Sequence, residues 1–236
     1  MNFKPTIFTL KFGINKCYII KGDSSIMIDG GPPHQANNFI KQISALNLSP
    51  EEIKLIILTH GDFDHTGSAK DIKEVTGAKV AIHENDRNLL EEGIFNWPAG
   101  VTVWGKFIHF TMMPLVRKIQ IRKLSPDILL SKDDFPLDEY GIDGRIIHTS
   151  GHTLGSVSVL LNNGDAFVGC MAHNGFPFRR SPGPPIFATD LDRLKESWYM
   201  LREKGAKIIY PSHGKPFIID EIFKSKFLVS QSETLL

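Results

Sequence analysis

The segment that most constrains this chain is Thr59-His60-Gly61-Asp62-Phe63-Asp64-His65-Thr66-Gly67, which begins where the apolar run Lys54 to Thr59 ends. A short continuous apolar run predicts a strand covered on both faces. Directly behind it, two imidazoles and two carboxylates fall within six consecutive residues. Imidazole nitrogen and carboxylate oxygen are both good ligands for divalent first-row metals. Asp62 and Asp64 repel each other in a tight turn, and a bound cation inverts that balance. The competing reading is a solvated Asp/His-rich cap at the start of the next helix.

Three later segments each place one ligand-type residue beside glycine just past a predicted strand. His152 follows the strand at 145–149, Cys170 follows the apolar strand at 166–168, and His213 follows the strand at 207–210. Small neighbours let the backbone approach a metal closely. Cys170 reads either as a core thiol or as a metal thiolate. Four such loops at one end of a sheet are poorly explained as packing.

The rest of the pattern predicts strands over 5–12, 16–21, 24–29, 78–82, 127–130 and 156–161. Helices are predicted over 34–47, 67–77, 84–92 and 190–204, the last capped by Asp190 and ended by Gly205, and Ser49-Pro50 reads as a helix start. This order predicts two sheets with helices outside. The segment 93–124 is different, carrying Trp97, Trp104, Phe107, Phe110, Met112 and Met113 beside Arg117, Lys118, Arg122 and Lys123. It reads as a helical insertion packed on the core, as a lid or apolar homodimer surface beside the active site, or as a membrane-surface helix.

Composition sets the outer bounds. The 236 residues suffice for a single domain, 1–236, with one sizeable core. Lys plus Arg number 27 against 26 Asp plus Glu, a balance that disfavours a nucleic-acid partner. Two cysteines, Cys17 and Cys170, form no disulfide framework. The first residues lack the pattern of a signal peptide, and no apolar run reaches the ~20 residues of a membrane span. A soluble, cytoplasmic protein is the expectation.

The chain resembles the metallo-β-lactamase superfamily of metallohydrolases. The family pattern His-x-His-x-Asp-His, followed by single His turns and an Asp after a strand, corresponds to residues 60–65, His152, Cys170 and His213, and the likeness runs from about residue 5 to about 217. The resemblance implies an α/β fold, a four-layer αβ/βα sandwich with a metal site at one edge. It implies His60, Asp62 and His152 as one metal site, and Asp64, His65 and His213 as a second, with Cys170 as a further ligand. Two positions depart from the family. Asp62 stands where the second His is usual, as in flavodiiron proteins, and Cys170 stands where the bridging Asp is usual, as in one subclass of true metallo-β-lactamases.

One or two divalent ions are therefore expected. The thiolate favours zinc, and the added carboxylate favours iron or manganese. The expected activity is hydrolysis by a metal-activated hydroxide on an ester, thioester, lactone, lactam or phosphoester bond of a small-molecule substrate, with Asp64 as the catalytic proton acceptor. The alternatives are iron-dependent redox chemistry and a weakly metallated binding module. Absence of an export signal argues against β-lactam resistance as the role. His173, three residues past Cys170, is a candidate substrate contact. His83 and His148 are expected in the core or at a sheet edge, and His34 and His109 at the surface or in the insertion. Cys17 reads as a buried thiol, Asp29 as a residue that orients a ligand, and Asp165 as a turn residue.

Overall fold

The computed structural model describes residues 5–225. The chain opens with β1 (Thr6–Phe12), β2 (Asn15–Lys21) and β3 (Ser25–Ile28), then α1 (Ala36–Ala45) and β4 (Ile53–Ile57). Helices α2 (Phe63–Thr66) and α3 (Ala69–Thr76), strand β5 (Lys79–His83), helices α4 (Arg87–Glu92) and α5 (Val103–Val116) and strand β6 (Ile128–Leu130) complete the first half. The second half runs β7 (Phe135–Pro136), β8 (Gly144–His148), β9 (Val157–Leu161), β10 (Asp165–Phe167), β11 (His173–Asn174) and α6 (Leu191–Glu203). It ends with β12 (Ile208–Tyr210), β13 (His213–Gly214), β14 (Phe217–Ile218) and α7 (Asp220–Phe223).

One six-stranded sheet has the order β1-β2-β3-β4-β5-β6, and the other has the order β14-β12-β10-β9-β8-β7. Period-two alternation sends side chains of each sheet to opposite faces. Along β2, Cys17 and Ile19 pack toward α1 and α3, where they meet Phe39, Ile43 and Ile72. Tyr18 and Ile20 face the other way and meet Ile146, Val159 and Phe167 of the second sheet. Beyond that sheet, Ile147, Leu160 and Ala166 pack on Leu194, Trp198 and Leu201 of α6. Three separate apolar interfaces therefore stack helix, sheet, sheet and helix, which is the expected four-layer αβ/βα sandwich. Cys17 is buried as expected; Asp165 is the first residue of β10 instead of a turn residue, and its Oδ2 accepts from Asn163 Nδ2 at 2.8 Å in the turn before it.

Topology places the site. Strand β9 is antiparallel to both β8 and β10, and β10 runs parallel to β12. Strands β8, β10 and β12 therefore end at the same edge, which carries the turns bearing His152, Cys170 and His213. The end of β4 is stitched to that edge by Val157 N–H donating to the Thr59 carbonyl at 2.8 Å. Across the same edge, Tyr18 donates its hydroxyl to the Pro211 carbonyl at 2.7 Å.

Several boundaries differ from the sequence reading. The helix predicted over 67–77 is α3, Ala69–Thr76, and a separate short helix, α2, precedes it over Phe63–Thr66; Gly67 between them lies against Pro33, where a Cβ would come within 2.3 Å of the Pro33 nitrogen. The helix start at Ser49-Pro50 is a single 3-10 turn, Pro50–Glu52, with a capping box between Ser49 and Glu52. Only 103–116 of the 93–124 segment is α-helical, and within it only Gly105 and Val116 are buried. Most apolar residues of that helix are therefore not core packing, whereas Val116 is buried and Leu124, past the helix, joins the core beneath α1 and α3.

Candidate metal centre

The 60–65 turn, the His152 and His213 turns and Cys170 converge in two adjoining groups. Asp62 Oδ2 lies 3.5 Å from His60 Nε2 and 3.3 Å from His152 Nε2. Asp64 Oδ2 lies 3.3 Å from His213 Nε2 and 3.7 Å from His65 Nε2. Cys170 Sγ lies 3.2 Å from His65 Nε2. Donor atoms of His60, His152 and Cys170 fall within 4.8 Å of one another, as do those of His65, Cys170 and His213. The sulfur thus belongs to both groups, whereas the sequence reading gave it to the second alone.

Three features fit a cation. Metal–ligand bonds of about 2.0–2.3 Å in a tetrahedron put ligand atoms about 3.3–3.8 Å apart, close to the separations seen here. His60, Asp62, His65, His152, Cys170 and His213 are all buried, while Asp64 is only partly so. His60 Nε2 and Asp62 Oδ1 are buried with no hydrogen-bond partner, a costly arrangement unless a ligand satisfies them.

The outer partners fix ring orientation. Asp29 accepts from His65 Nδ1 at 2.8 Å through Oδ2, and from Thr59 N–H and Oγ1, both at 2.8 Å, through Oδ1. The Thr59 hydroxyl, having donated to Asp29, accepts from His60 Nδ1 at 2.9 Å. His152 Nδ1 lies 2.9 Å from the Phe187 carbonyl, which can only accept. In all three rings Nδ1 donates outward and Nε2 points into the cluster, which leaves Nε2 as the nitrogen that would hold a metal. Gly169, at φ +54, is what lets this shell close, since a Cβ there would meet Thr59 Oγ1 at 2.5 Å.

Electrostatics among the protein groups alone show how strongly the site calls for positive charge. Burial pushes the Cys170 thiol up, but the charges of His65 and His213 outweigh it and hold it well below its ordinary value, as a thiolate. Burial and His65 push His60 down, yet Asp62 and Cys170 leave it raised to about 10. Burial likewise opposes protonation of His213, and Cys170 and Asp64 raise it to about 9. Protons on imidazoles compensate the thiolate and carboxylates, and a divalent ion would displace them.

His173 reaches the site as the sequence suggested. It is buried, its Nδ1 has no hydrogen-bond partner, and its ring centroid lies 5.2 Å from that of His213. His83 and His148 stand away from the centre, stacked at 4.0 Å. His34 is exposed and His109 lies on α5. Sequence reasoning missed Asp86. Its Oδ2 accepts from Gly61 N–H at 2.9 Å and from Thr153 Oγ1 at 3.0 Å, clamping the His60 loop to the His152 loop. Nothing at position 86 signals this, because an acidic residue at a helix start is ordinary.

A cavity of about 690 Å³ opens over the cluster. Asp62, Asp64, His152, Cys170, His173 and His213 form its polar floor, and α5 forms much of its roof. Trp104 Nε1–H donates to the Pro177 carbonyl at 2.9 Å and fastens α5 to the loop beyond β11.

A family model described as the metallo-beta-lactamase superfamily matches residues 10–213. A probable metallo-hydrolase of Methanocaldococcus jannaschii is 31% identical over 210 residues, covering 84% of this chain and 86% of that protein. A probable metallo-hydrolase of Bacillus subtilis is 25% identical over 156 residues, covering 65% of this chain and 63% of that relative's length. Among solved structures, the B3 metallo-beta-lactamase BLEG-1 superposes with a TM-score of 0.72 at 20% identity, over 94% of this chain and 99% of the other. A metallo-beta-lactamase of Cronobacter sakazakii gives a TM-score of 0.63 at 18% identity, over 88% and 74%. At these identities the structural likeness speaks for the fold, while the family match spans most of the sequence and includes every clustered residue from His60 to His213. The chain belongs to the metallo-β-lactamase superfamily.

Proposed function

We propose that the protein is a metal-dependent hydrolase of a small acyl or phosphoryl substrate, with zinc as its metal. The observation that carries this reading is the pair of buried donor groups sharing Cys170 Sγ. His60, Asp62 and His152 would hold one ion and Asp64, His65 and His213 a second, with Cys170 between them. A soft thiolate common to both groups favours zinc over iron or manganese. Bound there, a divalent ion lowers the pKa of water toward ~7 and polarises the scissile bond.

The chain's own groups do the rest. Asp29, Thr59 and the Phe187 carbonyl keep His65, His60 and His152 aimed inward. Asp64 faces the cavity and carries the proton lost by water to the leaving group. Water oxygen ends in the acid product, the bond from carbonyl carbon to heteroatom breaks, and the leaving group departs protonated. Burial holds His173 at about 4, so at neutral pH it is an uncharged imidazole on the cavity floor, placed to contact the substrate. Metal analysis of the purified protein, followed by ester, thioester and lactone assays with and without chelator, tests the reading. Iron with oxygen consumption, or protein that takes up no metal, would sink it.

A further inference from the structure

The cavity walls carry information about the substrate that the metal site does not. Trp104, Phe107, Ile108 and Met112 of α5 form one side, and Phe178 and Phe187 form another. Those walls continue to the floor without a polar gap, since the Phe178 ring lies 4.7 Å from His173 and 4.8 Å from His213. The polar groups among the walls are already engaged. Thr111 Oγ1 donates back to the Phe107 carbonyl at 2.9 Å, Asn15 Nδ2 donates to Asp64, and Trp104 Nε1 is bound to Pro177. Among the described residues, no lysine or arginine lines the cavity. An anionic substrate body lying along these walls would be desolvated with no lysine or arginine to pair with. An uncharged apolar body gains by leaving water.

We propose that the substrate is an amphiphile whose carbonyl head sits at the metal floor and whose uncharged apolar acyl tail fills the cavity under α5. This rests on the hydrolase reading and narrows it to neutral acyl esters, thioesters or lactones, away from phosphodiesters and from substrates with an anionic body. Residues at the mouth fit such a tail, because Phe107 is 56% and Phe176 88% exposed, and both line the cavity.

The test separates the tail from the chemistry. Zinc-loaded protein is titrated with butanohydroxamate, octanohydroxamate and the octanoyl analogue bearing a terminal carboxylate, following Trp97 and Trp104 fluorescence. All three share one chelating head. With up to about fourfold per buried methylene, octanohydroxamate is expected to bind about 30-fold or more tightly than butanohydroxamate, and the terminal carboxylate to erase most of that gain. Ile108→Lys is expected to invert the order of the two octanoyl compounds. Equal affinities for the short and long tails, no binding of any of them, or a dimer that buries Trp104 and excludes the tail would overturn the proposal. Hydrolysis of p-nitrophenyl butyrate and octanoate is measured alongside. Tail-dependent binding without turnover of either ester leaves the cavity assignment standing and removes the hydrolase reading. Turnover indifferent to tail length does the reverse.

Discussion

Asp29 Oδ2 sits 2.8 Å from His65 Nδ1, and the same carboxylate takes two hydrogen bonds from Thr59, whose hydroxyl in turn accepts from His60 Nδ1. One buried carboxylate therefore sets the tautomer and orientation of an imidazole in each donor group. Asp29 can do this because the chain turns sharply there, at φ 62, after β3.

Asp29→Asn should lower metal affinity by about 10- to 100-fold, the usual effect of removing a group that orients a metal-binding imidazole. Competition against a chromophoric chelator measures it. Affinity equal to that of the unaltered protein would mean that His65 is held in place by packing alone.

Cys170 and Asp62 should separate spectroscopically. With cobalt in place of zinc, the native protein is expected to show a thiolate-to-metal charge-transfer band. Cys170→Ser should abolish it and weaken occupancy of both sites, because the sulfur adjoins both donor groups. Asp62→Ala should keep the band and lower the metal content. A cobalt spectrum unaffected by Cys170→Ser would return Cys170 to a packing role.

His83 should make folding stability sensitive to mild acid. Burial, and then the stacked His148, depress it to about 4, and its Nδ1 accepts from Asn85 N–H at 3.2 Å, which requires the neutral ring. In the unfolded chain an ordinary His titrates near ~6.5. Between those values the unfolded state binds more protons, so stability is full above about 6.5 and falls as pH drops toward 4. Screening through the half-exposed His148 reduces the loss to about 1–2 kcal/mol. Urea melts across this range should show the protein losing stability toward acid that His83→Phe keeps, so that the difference between them changes with pH. A constant difference between them would contradict the assignment.

Asp190 caps α6, its Oδ1 accepting from Asp192 and Arg193 N–H, both at 3.0 Å. Asp190→Ala should cost about 1 kcal/mol. Metal content should be retained, so a lower melting temperature with full zinc occupancy is the expected pair of results.

Much of the site could be read from the chain because each donor lies in a local turn past an apolar strand, and turn chemistry is a short-range property. The run to Thr59 and the glycines flanking His152 and His213 carried that signal. The two-residue strands β7, β11, β13 and β14 did not show, because alternation has no period to display over two residues. Nor did Asp86, whose partners Gly61 and Thr153 come to it from 25 and 67 positions away.

The residue types and their spacing determined by themselves that this chain forms a layered α/β protein with a cluster of metal-type donors, since periodicity and ligand chemistry are written locally. Only the tertiary structure decided that Cys170 adjoins both donor groups and that α5 roofs a cavity instead of joining a core. Strand order brings the Cys170 turn between the histidine turns, with His60 and His152 separated by 92 positions in the chain. An apolar helix face has the same sequence pattern whether protein, solvent or a substrate covers it.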